Sequence, residues 1–384
     1  MTTKPRVLFV DDEPAILAGL QNLLYRERKR WDLVFATSGA AGLAELERQP
    51  ADVVVSDIQM PGMDGASFLT SVRERCPGAA RIVLSGHAHS DAIVRVLPAS
   101  HQLLGKPCEA AALRAAIERG LVLRSTSLDA GVTAAIAGLD RLPSPRSIVD
   151  ELHAALASSA DVDDLSHIIK RDPGLSAKVL QVANFPYFGS ARTCSIGDAI
   201  GRLGSARLRQ LAATSTAFTS LASPDHEEAF GRLQASARRT ARLAAAFVPA
   251  PLRSTVYAAA LLHDVGHVAL FFGMGERYLS EVRPHEGGYQ ISTECELLGS
   301  THADLGARLL ELWGLPAEIT DVVRHHHTPD RAAPANLLAT AAVHVADALG
   351  HHRGENHIDR LALQRAGLGD RVDEWLALST TRSS

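Results

Sequence analysis

Cysteine is scarce in this chain: Cys76, Cys108, Cys194 and Cys295 are its four, far apart and with no CxxC pair. That spacing excludes a zinc ribbon or a disulfide framework and reads as small buried thiols in a reducing compartment. No apolar run approaches the roughly 20 residues of a membrane span. The opening stretch MTTKPRVLFVDDEP meets acid before its apolar run reaches the length of a signal-peptide core. A strong charge of one sign is also missing. The 39 Lys and Arg against 43 Asp and Glu leave a net charge of −4. The basic residues, mostly arginine, read as scattered rather than striped, so neither nucleic acid nor an anionic membrane is an expected partner. Low-complexity tracts and fixed-period repeats are absent too. What remains is the expectation of a soluble cytoplasmic protein.

What is present divides into two textures. The 384 residues are long for one domain and comfortable for two, and 46% hydrophobic residues suffice to fill a core in each. Up to about residue 120, short apolar runs alternate with amphipathic helical patterns. The runs RVLFV (6–10), DLVFA (32–36), DVVVS (52–56), RIVLS (81–85) and HQLLG (101–105) read as strands. Five strands alternating with helices predict a doubly wound parallel sheet covered on both faces. After about 125 the strand signals stop and the chain reads as all helix. Ser144-Pro145, Asp161, Asp172-Pro173 and Ser195 supply start signals. The expected division is 1–123, a helical linker 124–137, a helical domain 138–335, and a C-terminal helical extension 336–384 that completes it.

In an open parallel sheet, chemistry collects outside the carboxyl ends of the strands. Here those ends carry Asp11-Asp12, then Asp57 at the end of VVVSD, then Ser85, then Lys106-Pro107. Carboxylates gathered closely repel, and at neutral pH they need a cation or a shared proton. A hard divalent ion such as Mg²⁺ with oxygen ligands fits, and it can bridge to a phosphoryl oxygen. Asp57 then reads as the carboxylate that attacks phosphorus, with Lys106 as a point charge and the Ser85 hydroxyl as a donor. Taken singly, the same residues also read as a helix cap at Asp11-Asp12, a turn at Ser85-Gly86 and a solvated lysine.

Residues 4–123 resemble the receiver domain of two-component response regulators through FVDDE, SDIQMPGMDG, VLSG and GKP, in that order. The resemblance implies that Asp57 is phosphorylated by a histidine kinase. It implies that Asp12 and Asp57 bind Mg²⁺ directly, with the backbone carbonyl of Gln59, and that Asp11 holds the ion through water. It also implies that the Lys106-Pro107 bond is often cis, and it hints at a homodimer by analogy. One position departs from the family pattern. The aromatic residue usually found three before the lysine is Leu103, so the inward-swinging aromatic readout is absent.

The helical half resembles the HDOD domain, an output module related to the HD phosphohydrolases. The likeness lies in LPSPRSIVDELHAAL, RDPGLSAKVLQVANFPYFG, AALLHDVGH, HADLGARLLELWGLP and VVRHHHTP. HD enzymes gather His and Asp from several helices around metal. By that resemblance His263, Asp264, His302, His326 and Asp347 match later ligands. The earlier histidine is missing, and Ser236 stands in its place; the GYP loop signature is absent. Two readings follow: a buried structural His263-Asp264 pair with histidines capping a helix end, or a transition-metal site. Loss of one ligand favours the first. The aromatic FPYFG (185–189) reads as a wedge between helices, and Arg202, Arg207 and Arg209 as a solvated helix face. Zinc-finger spacing and a helix-turn-helix are both missing. The function expected is phosphorylation-controlled output through contact with an unknown protein target. The alternative is a receiver-gated HD-type nucleotide phosphodiesterase.

Overall fold

The sheet follows the apolar runs closely. In the computed structural model the strands are β1 (Arg6–Val10), β2 (Asp32–Ala36), β3 (Val53–Asp57), β4 (Ala80–Ser85) and β5 (Gln102–Gly105). They form one parallel sheet in the order β2-β1-β3-β4-β5. Every residue of β1, β3 and β4 is buried, as a sheet covered on both faces requires. The helices of this half are α1 (Pro14–Leu23), α2 (Gly39–Arg48), α3 (Gly65–Arg75) and α4 (Ala110–Gly120). The residues described are 4–86, 95–124, 130–139, 141–158, 160–188, 191–213, 224–274, 291–350 and 355–380. Of the histidines near the C-terminus, His351 and His352 lie outside them, as does Gly189 of FPYFG.

Register sets where the strand ends fall. Val10 pairs with Ser56, Asp57 with Leu84, and Ser85 with Gly105. Asp57 is therefore the last residue of β3 rather than a residue out on the loop. The residue before α1 is Glu13, without a side-chain cap, so Asp11-Asp12 do not serve as the helix cap. Asp11 instead accepts from the Glu13 backbone N–H, 3.0 Å away.

Beyond the sheet the chain is helical. The elements are α5 (Ala130–Gly138), α6 (Arg146–Ala157), α7 (Val162–Ile169), α8 (Pro173–Ala183), α9 (Ile196–Ala213), α10 (Pro224–Ala246), α11 (Arg253–Leu262) and α12 (Val265–Met274). They continue as α13 (Ile291–Leu298), α14 (His302–Leu312), α15 (Ala317–His325), α16 (Leu337–Gly350), α17 (Arg360–Arg365) and α18 (Arg371–Thr380). No helix among the described residues is long and apolar enough to cross a membrane. Asp161, Asp172 and Ser195 each accept from the backbone N–H three residues on, as helix-start residues do. Ser144 does not: α6 begins after Pro145, and the Ser144 hydroxyl donates to Asp172 at 2.5 Å. Helix α5 is not a continuation of α4, because a 3-10 turn (Leu121–Leu123) intervenes. At the far end Trp375 stacks on Phe247, tying α18 to the end of α10.

The two halves meet along β5 and α4. The Gln102 amide donates to the Leu312 carbonyl at 3.1 Å, and the Gln181 amide to the His101 carbonyl at 3.0 Å. The His101 ring accepts at Nδ1 from the Arg81 backbone, so Nε2 carries the proton and donates to Ala137. Burial and the Arg81 charge keep that ring neutral. Arg308 donates to the Val122 carbonyl at 2.5 Å. The turn Pro186–Phe188 packs against β5, with Tyr187 at Gly105. FPYFG is thus a seam between the halves, not a wedge between helices. A linear pattern reading could not see this, because β5 lies some 80 residues away.

Candidate functional sites

Four strand ends build the first site. Lys106 Nζ lies 2.6 Å from Asp11 Oδ2 and 2.7 Å from Asp57 Oδ1. The second oxygen of Asp57 accepts from the Gln59 backbone N–H at 2.8 Å. Burial disfavours the charge on Lys106, but its bonds to Asp11 and Asp57 outweigh that and hold its pKa above the usual lysine value. Asp12, next in the chain after Asp11, is half-buried, its carboxylate in no hydrogen bond with a described residue. Ser85 is buried at the end of β4, and its carbonyl accepts from the Lys106 N–H at 2.7 Å. The Lys106-Pro107 bond is cis. Leu103 is fully buried in the sheet.

A glycine sets the depth of this pocket. A Cβ on Gly65 would lie 2.0 Å from the Asp57 carbonyl oxygen, so α3 begins this close to β3 only because residue 65 has no side chain. The residue types suit Mg²⁺: hard oxygens from Asp11, Asp12, Asp57 and the Gln59 carbonyl could hold it, while the single charge of Lys106, shared by Asp11 and Asp57, leaves net negative charge for a cation to offset.

The second site is assembled from five helices and buried. His263 and Asp264 lie between α11 and α12, His302 opens α14, His326 follows α15, and Asp347 lies on α16. All five come together. His263 Nε2 is 3.0 Å from Asp347 Oδ1 and 3.3 Å from Asp264 Oδ2. Asp264 Oδ1 is 3.4 Å from His302 Nε2 and 3.8 Å from His326 Nε2. In each of the three histidines, Nδ1 donates outward: to the Ala260 carbonyl, to Glu294, and to the Val323 carbonyl. Their Nε2 atoms therefore point inward at the carboxylates. His326 Nε2 is buried without a hydrogen-bond partner.

Charge in this cluster is divided unevenly. Burial works against a charged ring at His263, but Asp264 and Asp347 outweigh it and lift the pKa to about 9. Glu294 and Asp264 likewise lift His302 to about 10 against burial. His326 is pushed down to about 3 by burial and by the charges of His263 and His302. Asp264 sits well below the carboxylate range, because the surrounding imidazoles overcome its burial.

Three members stand outside the five expected ligands. His267, in the same HDVGH motif, stacks on His302 at 3.8 Å between ring centroids. His327 Nε2 is 3.1 Å from His302 Nε2. Glu294 orients His302 through both its ring and its backbone N–H. The HDVGH repeat of His at one-turn spacing could have flagged His267; nothing local marks Glu294. Possible ligand sets within 4.8 Å are His263/His326/Asp347, Asp264/His267/His302 and His302/His326/His327. Ser236, where the early ligand is missing, lies buried on α10 with an unpartnered hydroxyl. Gly266 plays the role that Gly65 plays in the first site: a Cβ there would meet the His302 carbonyl oxygen at 1.9 Å.

With these geometries in hand, similarity to known proteins is informative. The response regulator receiver domain family matches residues 7–118, and the HDOD domain family residues 142–329. The transcriptional regulatory protein GlrR of Escherichia coli K12 is 34% identical over 34% of this chain and 29% of its own length. An uncharacterized Treponema pallidum protein is 26% identical over 57% of this chain and 44% of that one. The chain thus spans less than half the length of either. Among solved structures, the MmoQ response regulator of Methylococcus capsulatus is 25% identical with a TM-score of 0.47, covering 62% of this chain and 98% of that one. The signal receiver domain of an HD domain-containing protein from Pseudomonas fluorescens is 29% identical with a TM-score of 0.30, covering 32% and 89%. The two family matches fall on the halves already told apart by their secondary structure, and the chain is a two-component response regulator whose receiver domain is followed by an HDOD domain.

Proposed function

We propose that Asp57 accepts a phosphoryl group from a histidine kinase and that the HDOD domain passes the signal on by binding a protein target. The supporting observation is Lys106, held between Asp11 and Asp57 at one end of β5, while the other end of β5 is hydrogen-bonded into the helical domain. Asp57 Oδ1 attacks phosphorus, the phosphohistidine nitrogen leaves, and an acyl phosphate forms on Asp57. Mg²⁺, held by Asp12, Asp57 and the Gln59 carbonyl, with Asp11 through water, would neutralise charge on the transferred group. Lys106 then exchanges one carboxylate partner for a phosphoryl oxygen, and Ser85 donates to another. That movement of Lys106 pulls on Gly105, against which Tyr187 packs. The reading carries with it a cytoplasmic location. The test is radiolabelling with an acyl phosphate donor and Mg²⁺. Wild type should take up hydroxylamine-labile label, and Asp57→Ala or EDTA should abolish it. Equal labelling of Asp57→Ala would refute the reading.

A second reading concerns the helical cluster, and the inward lone pair of His326 favours it. A histidine whose Nδ1 is fixed by a carbonyl and whose Nε2 faces a carboxylate is arranged as a metal ligand. His263, Asp264, His302, His326 and Asp347 would hold a transition metal, which polarises a bound oxygen. Elemental analysis of the purified chain should find such a metal, and Asp264→Ala should lose it. A metal-free wild type would leave the cluster a purely structural network.

A further inference from the structure

A third feature belongs to neither site. An open cleft of about 830 Å³ lies in the helical domain between the end of α7, the start of α9, and helices α10 and α11. Six cations line it: Lys170, Arg171, Arg238, Arg239, Arg242 and Arg253. No Asp or Glu is among its lining residues. In a chain with more acids than bases, six cations around one hollow departs sharply from the scattered arginines expected from the sequence.

Arg253 donates to the Val248 carbonyl at 3.4 Å. Arg171 is paired with Glu151 at 2.8 Å. The side chains of Lys170, Arg238, Arg239 and Arg242 make no hydrogen bond or ion pair with a described residue. Arg238 and Arg242 stand one turn apart on α10 and face Arg171 and Tyr257 across the cleft. Burial and the charges of Arg171 and Arg242 press Arg238 below the usual arginine value, and the opposing pull of Tyr257 and the buried Asp172 does not restore it. Crowding of this kind is costly unless an anion enters.

The remaining wall mixes one aromatic ring with small apolar and uncharged polar side chains. Tyr257, one turn after Arg253 on α11, donates its hydroxyl to the Lys170 carbonyl at 3.1 Å, which fixes the ring in the wall. Ile196, Ala235 and Ala245 add apolar surface, and His167, Ser195 and Ser254 complete it. The volume falls in the range of small-molecule pockets. Guanidinium forks take phosphoryl oxygens two at a time, and an aromatic face takes a planar base. A concave hollow of this size suits a compact ligand better than a duplex or a membrane surface, which would meet a broad convex face.

We propose that this cleft binds a small ligand carrying two or more phosphoryl groups on an aromatic body, the chemical class of a nucleoside polyphosphate. The full chain is titrated with ATP and GTP labelled by N-methylanthraniloyl, followed by fluorescence anisotropy. Saturable binding of one label per chain is expected, weakening as salt rises. Arg238→Ala/Arg242→Ala should weaken it at least about tenfold, and Tyr257→Ala should weaken it while leaving competition by inorganic tripolyphosphate unchanged. Asp57→Ala should bind as wild type does, which separates this site from the receiver. If the double variant fails to fold, Arg239→Glu decides, because that side chain is exposed and reverses charge without a packing change. No saturation by about 1 mM, or equal affinity in Arg239→Glu, would overturn the proposal. So would displacement of the label more readily by duplex DNA or phosphatidylglycerol vesicles than by unlabelled ATP.

Discussion

The receiver pocket and the helical cluster are both made of carboxylates and nitrogen bases, yet they are built oppositely. In the receiver, four strand ends bring Asp11, Asp57, Ser85 and Lys106 to one edge, and the cation stays partly open, with 18% of the Lys106 side chain accessible. In the helical domain, His263, His302, His326 and Asp347 are sealed between helices. The open pocket leaves room for a group to enter; the sealed cluster does not. The open pocket balances its charge with a lysine, which can change partner. The closed one balances charge with histidines fixed at Nδ1, which cannot turn away.

Both designs rest on one glycine, and that gives the sharpest way to break the comparison. A methyl at Gly266 meets backbone at 1.9 Å, and one at Gly65 meets backbone at 2.0 Å. Neither clash is relieved by a side-chain rotation. Gly266→Ala should cost more than about 3 kcal/mol and separate α12 from α14, lowering the melting temperature of the helical domain. Gly65→Ala should instead abolish phosphate uptake at Asp57 with a smaller loss of stability, because only the start of α3 must move. Calorimetry and phosphate labelling of the two variants read this directly. If each variant damaged both domains equally, the two sites would not be independently built.

A smaller effect should appear as a pH slope confined to the helical half. Asp172 is fully buried, accepting from Ser144, Leu175 N–H and Gln234, with Arg238 nearby. Burial lifts its pKa from 3.8 to about 6 against those bonds. A carboxyl raised on folding stabilises the native state fully below its unfolded pKa, and that contribution is lost as pH rises through the folded value. Wild type should therefore lose about 3 kcal/mol from this group between pH 4 and 7. Asp172→Asn, neutral throughout, should not. The stability difference between the two, measured by urea unfolding, should grow in favour of the variant by about that amount. A difference that stays constant with pH would mean the bonds, not burial, set the ionisation of Asp172.

What the sequence made legible follows from range. The five strands and the edge they share could be read because alternation of strand and helix fixes a parallel sheet, and its register then levels the strand ends. Asp11, Asp57 and Lys106 each sit beside a short local motif. His263 and Asp264 were equally visible, as was the triplet containing His326. Glu294 was not, since its role comes from α13 lying against the start of α14. The cationic cleft was invisible for the same reason: its residues come from four elements, and in the linear chain they look like ordinary arginines. Ser144 misled because its hydroxyl prefers the buried Asp172 to the start of α6.

The smallest effect bears on how the two regions communicate. Leu103 is buried and cannot swing as an aromatic readout would, but Tyr187 from the helical half packs at Gly105, next to Lys106. The aromatic ring at this end of β5 thus comes from the far side of the seam, not from the receiver itself. Tyr187 is only half-buried, so Tyr187→Ala should cost about 1 kcal/mol or less of stability. It should leave phosphate labelling of Asp57 intact. What it should remove is the dependence of the helical half on phosphorylation, seen as hydrogen exchange of the backbone around Gln181 and Leu312 in the presence and absence of phosphodonor. Exchange there that still responds to phosphorylation in Tyr187→Ala would move the coupling to Gln102 and Gln181, whose hydrogen bonds cross the same seam.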